Sequence, residues 1–113
     1  MILANLPKSW PAVQAGTRTA IDVTLGEWAQ LPDEALTEYA DVIVGVFKHE
    51  VVSVFDIDGW TRDPDTNRIT FTGTESDRWS HLIGGPNPGT RWTTGHGRPV
   101  KYLDTADVQW PAS

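Results

Sequence analysis

The amino-acid sequence predicts a mainly β (α+β) fold, a small curved sheet or partly open β-barrel of about five strands with two short helices. Three observations lead there. Residues 41–60 hold two runs rich in β-branched and aromatic side chains, parted only by Lys48-His49-Glu50, which reads as an antiparallel hairpin. Further alternating segments recur at short spacing along the chain. Only two stretches carry helix signals, and both are short. At 113 residues with 39% hydrophobic and 21% charged residues, the chain is long enough to bury a core without a staple. It divides into an extended N-terminal arm over 1–16, one barrel-like domain over 17–104 and a tail over 105–113.

The arm is assigned because residues 1–16 mix apolar residues with Pro7, Pro11 and Gly16 and show no period. Residues 18–25 alternate, with Thr19, Ile21, Val23 and Leu25 on one face, and read as a half-buried strand ended by Gly26. Residues 31–40 give the clearest helix start. Pro32 suits a first turn, Asp33 and Glu34 sit at the positive end of the helix dipole, and Ala35, Leu36, Tyr39 and Ala40 form one apolar face.

The hairpin follows. Residues 42–47 are apolar on both faces, as in a central strand covered on both sides. Its second arm alternates, with Val51, Ser53, Phe55 and Ile57 on one face and Val52, Val54, Asp56, Asp58 and Trp60 on the other. Without an Asn-Gly signal, the connection reads as a bulged loop of three to five residues. Residues 62–67 are turn formers, and 68–73 make another strand with Ile69 and Phe71 inward. Ser76 or Asp77 can cap a short helix that Gly84-Gly85-Pro86 stops. Residues 87–98 read as loop and 99–103 as the last strand.

The net charge of −6 argues against a protein that coats nucleic acid through phosphate contacts alone. Its distribution is uneven. Residues 1–61 carry three bases against nine acids, whereas 62–102 carry six bases against four, and 78–101 contain no acid. No apolar run reaches the ~18–20 residues that cross a bilayer, and no membrane association is expected. The first eight residues lack the basic and apolar regions of a secretory signal. Without cysteine there is no disulfide and no thiolate ligand, and the simplest expectation is a cytoplasmic protein.

Catalytic and metal signatures are weak. Asp63-Pro64-Asp65-Thr66-Asn67 starts like a calcium loop, but Arg68 stands where glycine is needed and Thr74 where a bidentate Glu is needed. His49, His81 and His96 show no metal-ligand spacing. Asp56 and Asp58 share a strand face about 7 Å apart, which allows acid–base work but equally describes a solvated face. No metal, cofactor or catalytic residue is assigned.

The more informative feature is the use of Trp and Arg. Six tryptophans are present, and aromatic side chains interleave with cations over 78–102. Aromatics beside guanidinium groups stack bases while contacting phosphate. Trp60, Arg78, Trp79, Arg91, Trp92 and Arg98 are therefore the candidate ligand-binding residues, with core packing as the alternative for Trp79 and Trp92.

Arg18 and Trp28, Tyr39-Ala40-Asp41, Gly59-Trp60, Arg68-Ile69-Thr70-Phe71-Thr72-Gly73, Leu82-Ile83-Gly84 and Pro99-Val100-Lys101-Tyr102 occur in that order over residues 17–103. This order resembles an uncharacterised bacterial domain found alone or beside GIY-YIG-type nuclease domains. The nuclease's own Gly-Ile-Tyr and Tyr-Ile-Gly motifs are absent, so no nuclease activity is implied. The strand–helix–strand order is also similar to PUA-like domains of the EVE and ASCH kind, which implies recognition of single-stranded or modified nucleic acid in an aromatic cleft. The expectation is a non-enzymatic binding module for nucleic acid or a modified nucleobase. The alternative is a protein–protein interaction module, phage- or toxin-related, that binds no nucleic acid.

Overall fold

The computed structural model describes residues 1–29, 31–89 and 100–105. Five strands form one open, mixed sheet in the order β4-β3-β2-β1-β5. They are β1 (Ile2–Asn5), β2 (Val42–Phe47), β3 (Glu50–Arg62), β4 (Ile69–Glu75) and β5 (Val100–Tyr102). Three short helices, α1 (Trp10–Gln14), α2 (Ala20–Leu25) and α3 (Asp33–Tyr39), connect β1 to β2. These two strands are parallel, with Ile2 opposite Ile43, and the other pairings are antiparallel. The expected α+β class and five strands are therefore present, in a sheet that stays open.

Residues 1–16 are not an arm. Met1, Ile2, Leu3 and Ala4 are buried, and β1 lies inside the sheet between β2 and β5. An apolar run bounded by Pro7 has no period because both of its faces are covered. Ile2 and Ala4 join one core cluster, and Met1 and Leu3 join the other. The chain then turns into α1, where Pro11 occupies the first turn, a position whose backbone N–H would have no intrahelical acceptor. The N-terminal ammonium lies 3.0 Å from Asp41 Oδ1 and donates to the Leu103 carbonyl at 2.9 Å.

Residues 18–25 are also reassigned, from strand to helix. Thr19 is the N-cap, and its hydroxyl accepts the Asp22 N–H at 3.1 Å. In this helix Val23, Thr24 and Leu25 turn inward while Ile21 is left 51% exposed. Over six residues the alternation of Ile21, Val23 and Leu25 competes with helical spacing, and the cap decides between them.

The sheet separates two cores. On the helix face, Ile43, Phe55, Ile69 and Phe71 pack with Leu25, Leu31 and Leu36. Tyr39 of α3 stacks on Tyr102 of β5 with ring centroids 5.2 Å apart. On the opposite face, Val42, Val44, Val46, Val51 and Val54 pack with Trp79 and Leu82. A one-residue irregularity opposite Gly45 and Val46 places Val51 on the same face as Val54, which strict alternation does not allow.

The hairpin connection is tighter than expected. Phe47 pairs with Glu50, so only Lys48 and His49 form the turn, both with positive φ (50° and 67°). Two consecutive left-handed residues are what a two-residue turn matched to the strand twist demands. The neighbouring chain braces them, since Asn87 N–H donates to the His49 carbonyl at 2.8 Å.

α2 reaches the sheet over Gly45. A Cβ there would overlap the Ser53 hydroxyl and stand 2.9 Å from Leu6 Cδ1 and 3.3 Å from Thr24 Oγ1. In that space Thr24 and Ser53 share a buried hydroxyl–hydroxyl hydrogen bond of 2.7 Å. Edge strand β4 is guarded by Trp28, whose backbone exchanges two 2.9 Å hydrogen bonds with Ile69. Among the described residues, no helix is long and apolar enough to cross a membrane.

Two outcomes check this packing. Gly45→Ala should destabilise the fold by about 1–3 kcal/mol in urea denaturation, through overpacking. Its effect should shrink in a Ser53→Ala background, where the overlapping hydroxyl is gone, and an additive cycle would contradict the geometry. His49→Gly should stabilise by about 0.5–1 kcal/mol, by relieving a left-handed side-chain-bearing residue.

Candidate functional site

The sequence-derived candidates that lie among the described residues, Trp60, Arg78 and Trp79, do not share one place. Trp60 lies near the end of β3 opposite Phe71 and is 38% exposed. The Arg62 guanidinium stands 5.9 Å from its ring centroid. That guanidinium is engaged elsewhere, donating to the Leu31 carbonyl at 2.8 Å, to Asp33 Oδ1 at 2.7 Å and to Asn67 Oδ1 at 3.2 Å. It ties the end of β3 to the start of α3 and to the 63–68 turn. In that turn Asp63 Oδ1 accepts the N–H groups of Asp65 and Thr66, at 2.8 and 3.2 Å.

Trp79 is 5% exposed and belongs to the core cluster around Val51 and Val54. Of the two readings left open for it, the core one is what the structure shows. Val54 is six residues along β3 from Trp60, about 20 Å at the rise of a strand, so these indoles do not line one cleft. Arg78 is exposed, with its guanidinium 5.6 Å from the Trp79 ring centroid, and the two are adjacent as the sequence places them. Arg91, Trp92 and Arg98 lie outside the described residues.

The predicted short helix is one 3₁₀ turn, Ser80–Leu82. Ser76, anticipated as a cap, accepts the Trp79 N–H on its hydroxyl at 3.1 Å. His81 lies in this turn with its ring centroid 6.0 Å from that of Trp79. Asp56 and Asp58 do not follow simple alternation, because the β3–β4 register slips between Ile57 and Gly59 and leaves Asp58 as the extra residue. One carboxylate oxygen of Asp56 is buried without a hydrogen-bond partner among the described residues. Those residues hold no group of three or more His, Asp or Glu placed to bind a metal ion.

The structure does offer a cleft that sequence reasoning missed. β4 ends at Glu75 opposite Phe55, and the chain then leaves the sheet before returning. Ser76 N–H donates to the Val54 carbonyl at 3.0 Å, while Gly84 N–H donates to the Val51 carbonyl at 2.8 Å. Between these anchors the 77–83 loop stands off the edge of β3 and leaves a space of about 190 Å³. Val52, Phe55, Ala20 and Ile83 supply apolar wall, and Glu75 and Asp77 supply carboxylates.

Both acids are exposed, and Ile83 is 51% exposed. Among the described residues, the lining contains no Lys, Arg or His. Its hydroxyls are engaged within the fold: Ser53 bonds Thr24, Ser76 Oγ accepts the Trp79 N–H, and Ser80 Oγ donates to the Asp77 carbonyl at 2.9 Å. The described lining offers apolar contact together with attraction for positive charge. The sequence signal was slight: Ile83 is a large aliphatic residue immediately before a Gly-Gly-Pro stop.

Comparison with models of known families, with curated proteins and with solved structures finds no match to this chain.

The two exposed-or-buried assignments separate by stability. Trp79→Ala should destabilise by about 3–5 kcal/mol, as a large core truncation does, and Trp60→Ala by less than about 1 kcal/mol. Chemical denaturation of both variants checks this, and equal effects would contradict the placement of Trp79.

Proposed function

We propose that this protein is a small non-enzymatic binding module whose partner is a polypeptide. The observation that carries the reading is the cleft beside β3, with a partly apolar wall, two carboxylates and, among its described lining residues, no cation. Pockets for drug-sized ligands and cofactors are typically about 300–1,000 Å³, whereas this space is about 190 Å³, the scale of a single side chain. Phosphate groups are repelled by the carboxylates of Glu75 and Asp77, so a nucleotide is a poor occupant of this cleft. Nothing in the chain calls for an oxidising compartment, and we place the module in the cytoplasm.

A second reading, recognition of single-stranded or modified nucleic acid, is favoured by residues 78–101. They carry Arg78, Arg91, Arg98 and Lys101, together with Trp92, and no acid. It agrees with the resemblance to PUA-like domains, and it would use Trp92 and Arg91 with Trp60 or Arg78 at the margin. Trp79 supports it only from the core.

Selection of a displayed random-peptide library on the immobilised chain tests the first reading. Enriched peptides should lose at least tenfold in affinity on Ile83→Ser, a change at an exposed position. No enrichment over an unrelated control protein overturns it. Tryptophan-fluorescence titration with single-stranded and modified-base oligonucleotides at low salt tests the second, with quenching expected to fall in Trp92→Ala and Arg91→Ala.

A further inference from the structure

The cleft's shape and charge narrow its occupant, given the polypeptide-binding reading on which this inference rests. We propose that it takes one large apolar side chain, of the size of Leu, Met or Phe, from an extended segment that also carries Lys or Arg close to that side chain.

Size sets the first half of the proposal. An apolar cavity of about 150 Å³ accepts a benzene molecule, so a cleft of about 190 Å³ holds one such side chain and little more. Part of its wall matches in polarity. Val52 comes from β3, Ala20 from the start of α2 and Ile83 from the loop, while Ser53, Ser76 and Ser80 also line it. Ile83 is 51% exposed, so its side chain has apolar surface available to an occupant of the cleft.

Charge sets the second half. The acidic side chains in the lining, Glu75 and Asp77, meet no Lys, Arg or His among its described residues, and a cationic partner complements that charge. In an extended segment, a residue two positions away projects to the same side, about 7 Å along the chain. The flexible stem of a Lys or Arg spans the remaining distance to the rim while its charge stays near water. Neither feature suffices alone. The carboxylates without the apolar wall are a solvated acidic surface, and the wall without them does not choose between partners.

The test uses the full chain and fluorescein-labelled octapeptides followed by anisotropy. One peptide carries a central Leu with Lys two positions to either side, a second has Ala in place of Leu, and a third has Glu in place of Lys. The Lys-flanked Leu peptide should bind saturably and at least tenfold more tightly than either of the others. Its affinity should fall at least fivefold in a Glu75→Gln, Asp77→Asn double variant, and at least tenfold in Ile83→Ser. Circular dichroism should show both variants folded, since all three positions are exposed.

Binding of the Lys-flanked peptide that persists in Ile83→Ser overturns the proposal, because the attraction then lies elsewhere. Saturable binding of the Glu-flanked peptide that is lost in Ile83→Ser overturns the cationic assignment and leaves the polypeptide reading standing. No saturable binding by the Lys-flanked peptide also overturns the proposal, while the broader reading falls only if the library selection yields no binder.

Discussion

The arrangement depends on one position in the second strand that carries no side chain. Gly45 leaves room for Leu6, Thr24 and Ser53 to converge on the sheet, and the Thr24–Ser53 hydrogen bond fills it with two mutually satisfied hydroxyls. A buried hydroxyl without a partner costs about 1–3 kcal/mol, so this contact fixes where α2 lies as well as how near it comes. From that contact α2 presents Leu25 to the core and sets the path to Trp28, which closes the edge of β4. The indole N–H of Trp28 returns to the Thr24 carbonyl at 3.0 Å, locking the edge guard to the same short helix.

The long strand β3 links this packing to the cleft. Its first part pairs with β2 and its later part with β4, so among the described residues strands flank it on both sides only near Phe55 and Asp56. Two irregularities shape it. The one opposite Gly45 and Val46 moves Val51 to the face that Trp79 and Leu82 cover, and the one at Asp58 re-aims the end that carries Trp60 and Arg62. Bulges of this kind bend a strand and increase its twist, which gives curvature without closing the sheet. Where β4 stops and the 77–83 loop takes over, the edge of β3 is only partly covered, and the cleft is the space that remains.

Much of the fold was legible because hydrophobic pattern survives in single elements. The two runs of the hairpin, the inward Ile69 and Phe71, and the acidic start of α3 were all readable, and each sits where its pattern implies. The failures have physical causes. Residues 2–5 showed no alternation because the strand is buried on both faces, and the same property concealed its central place. Residues 19–25 satisfy a two-residue and a helical spacing together, and only the Thr19 cap separates them. The tight turn was hidden because Lys48 and His49 accept a conformation usually left to glycine and asparagine. Of the candidate site residues, Trp79 packs inward and Trp60 lies at the far end of β3. The cleft was not readable at all, since its walls come from residue 20, residues 52–55 and residues 75–83, brought together only by the sheet.

The place of β1 also sets an order of events during synthesis. Ile2 leaves the ribosome before either of its neighbours exists, for Ile43 comes 41 residues later and Tyr102 a hundred. At about 5–20 residues per second, the second of these pairings waits roughly 5–20 s. The hairpin of β2 and β3, joined by a two-residue turn, needs no such delay. Pairing from β2 outward is therefore open to the nascent chain, whereas the run Met1-Ile2-Leu3-Ala4 meets β5 only after about a hundred further residues have been made. During that interval the β5-facing edge of this apolar run is open to misassociation.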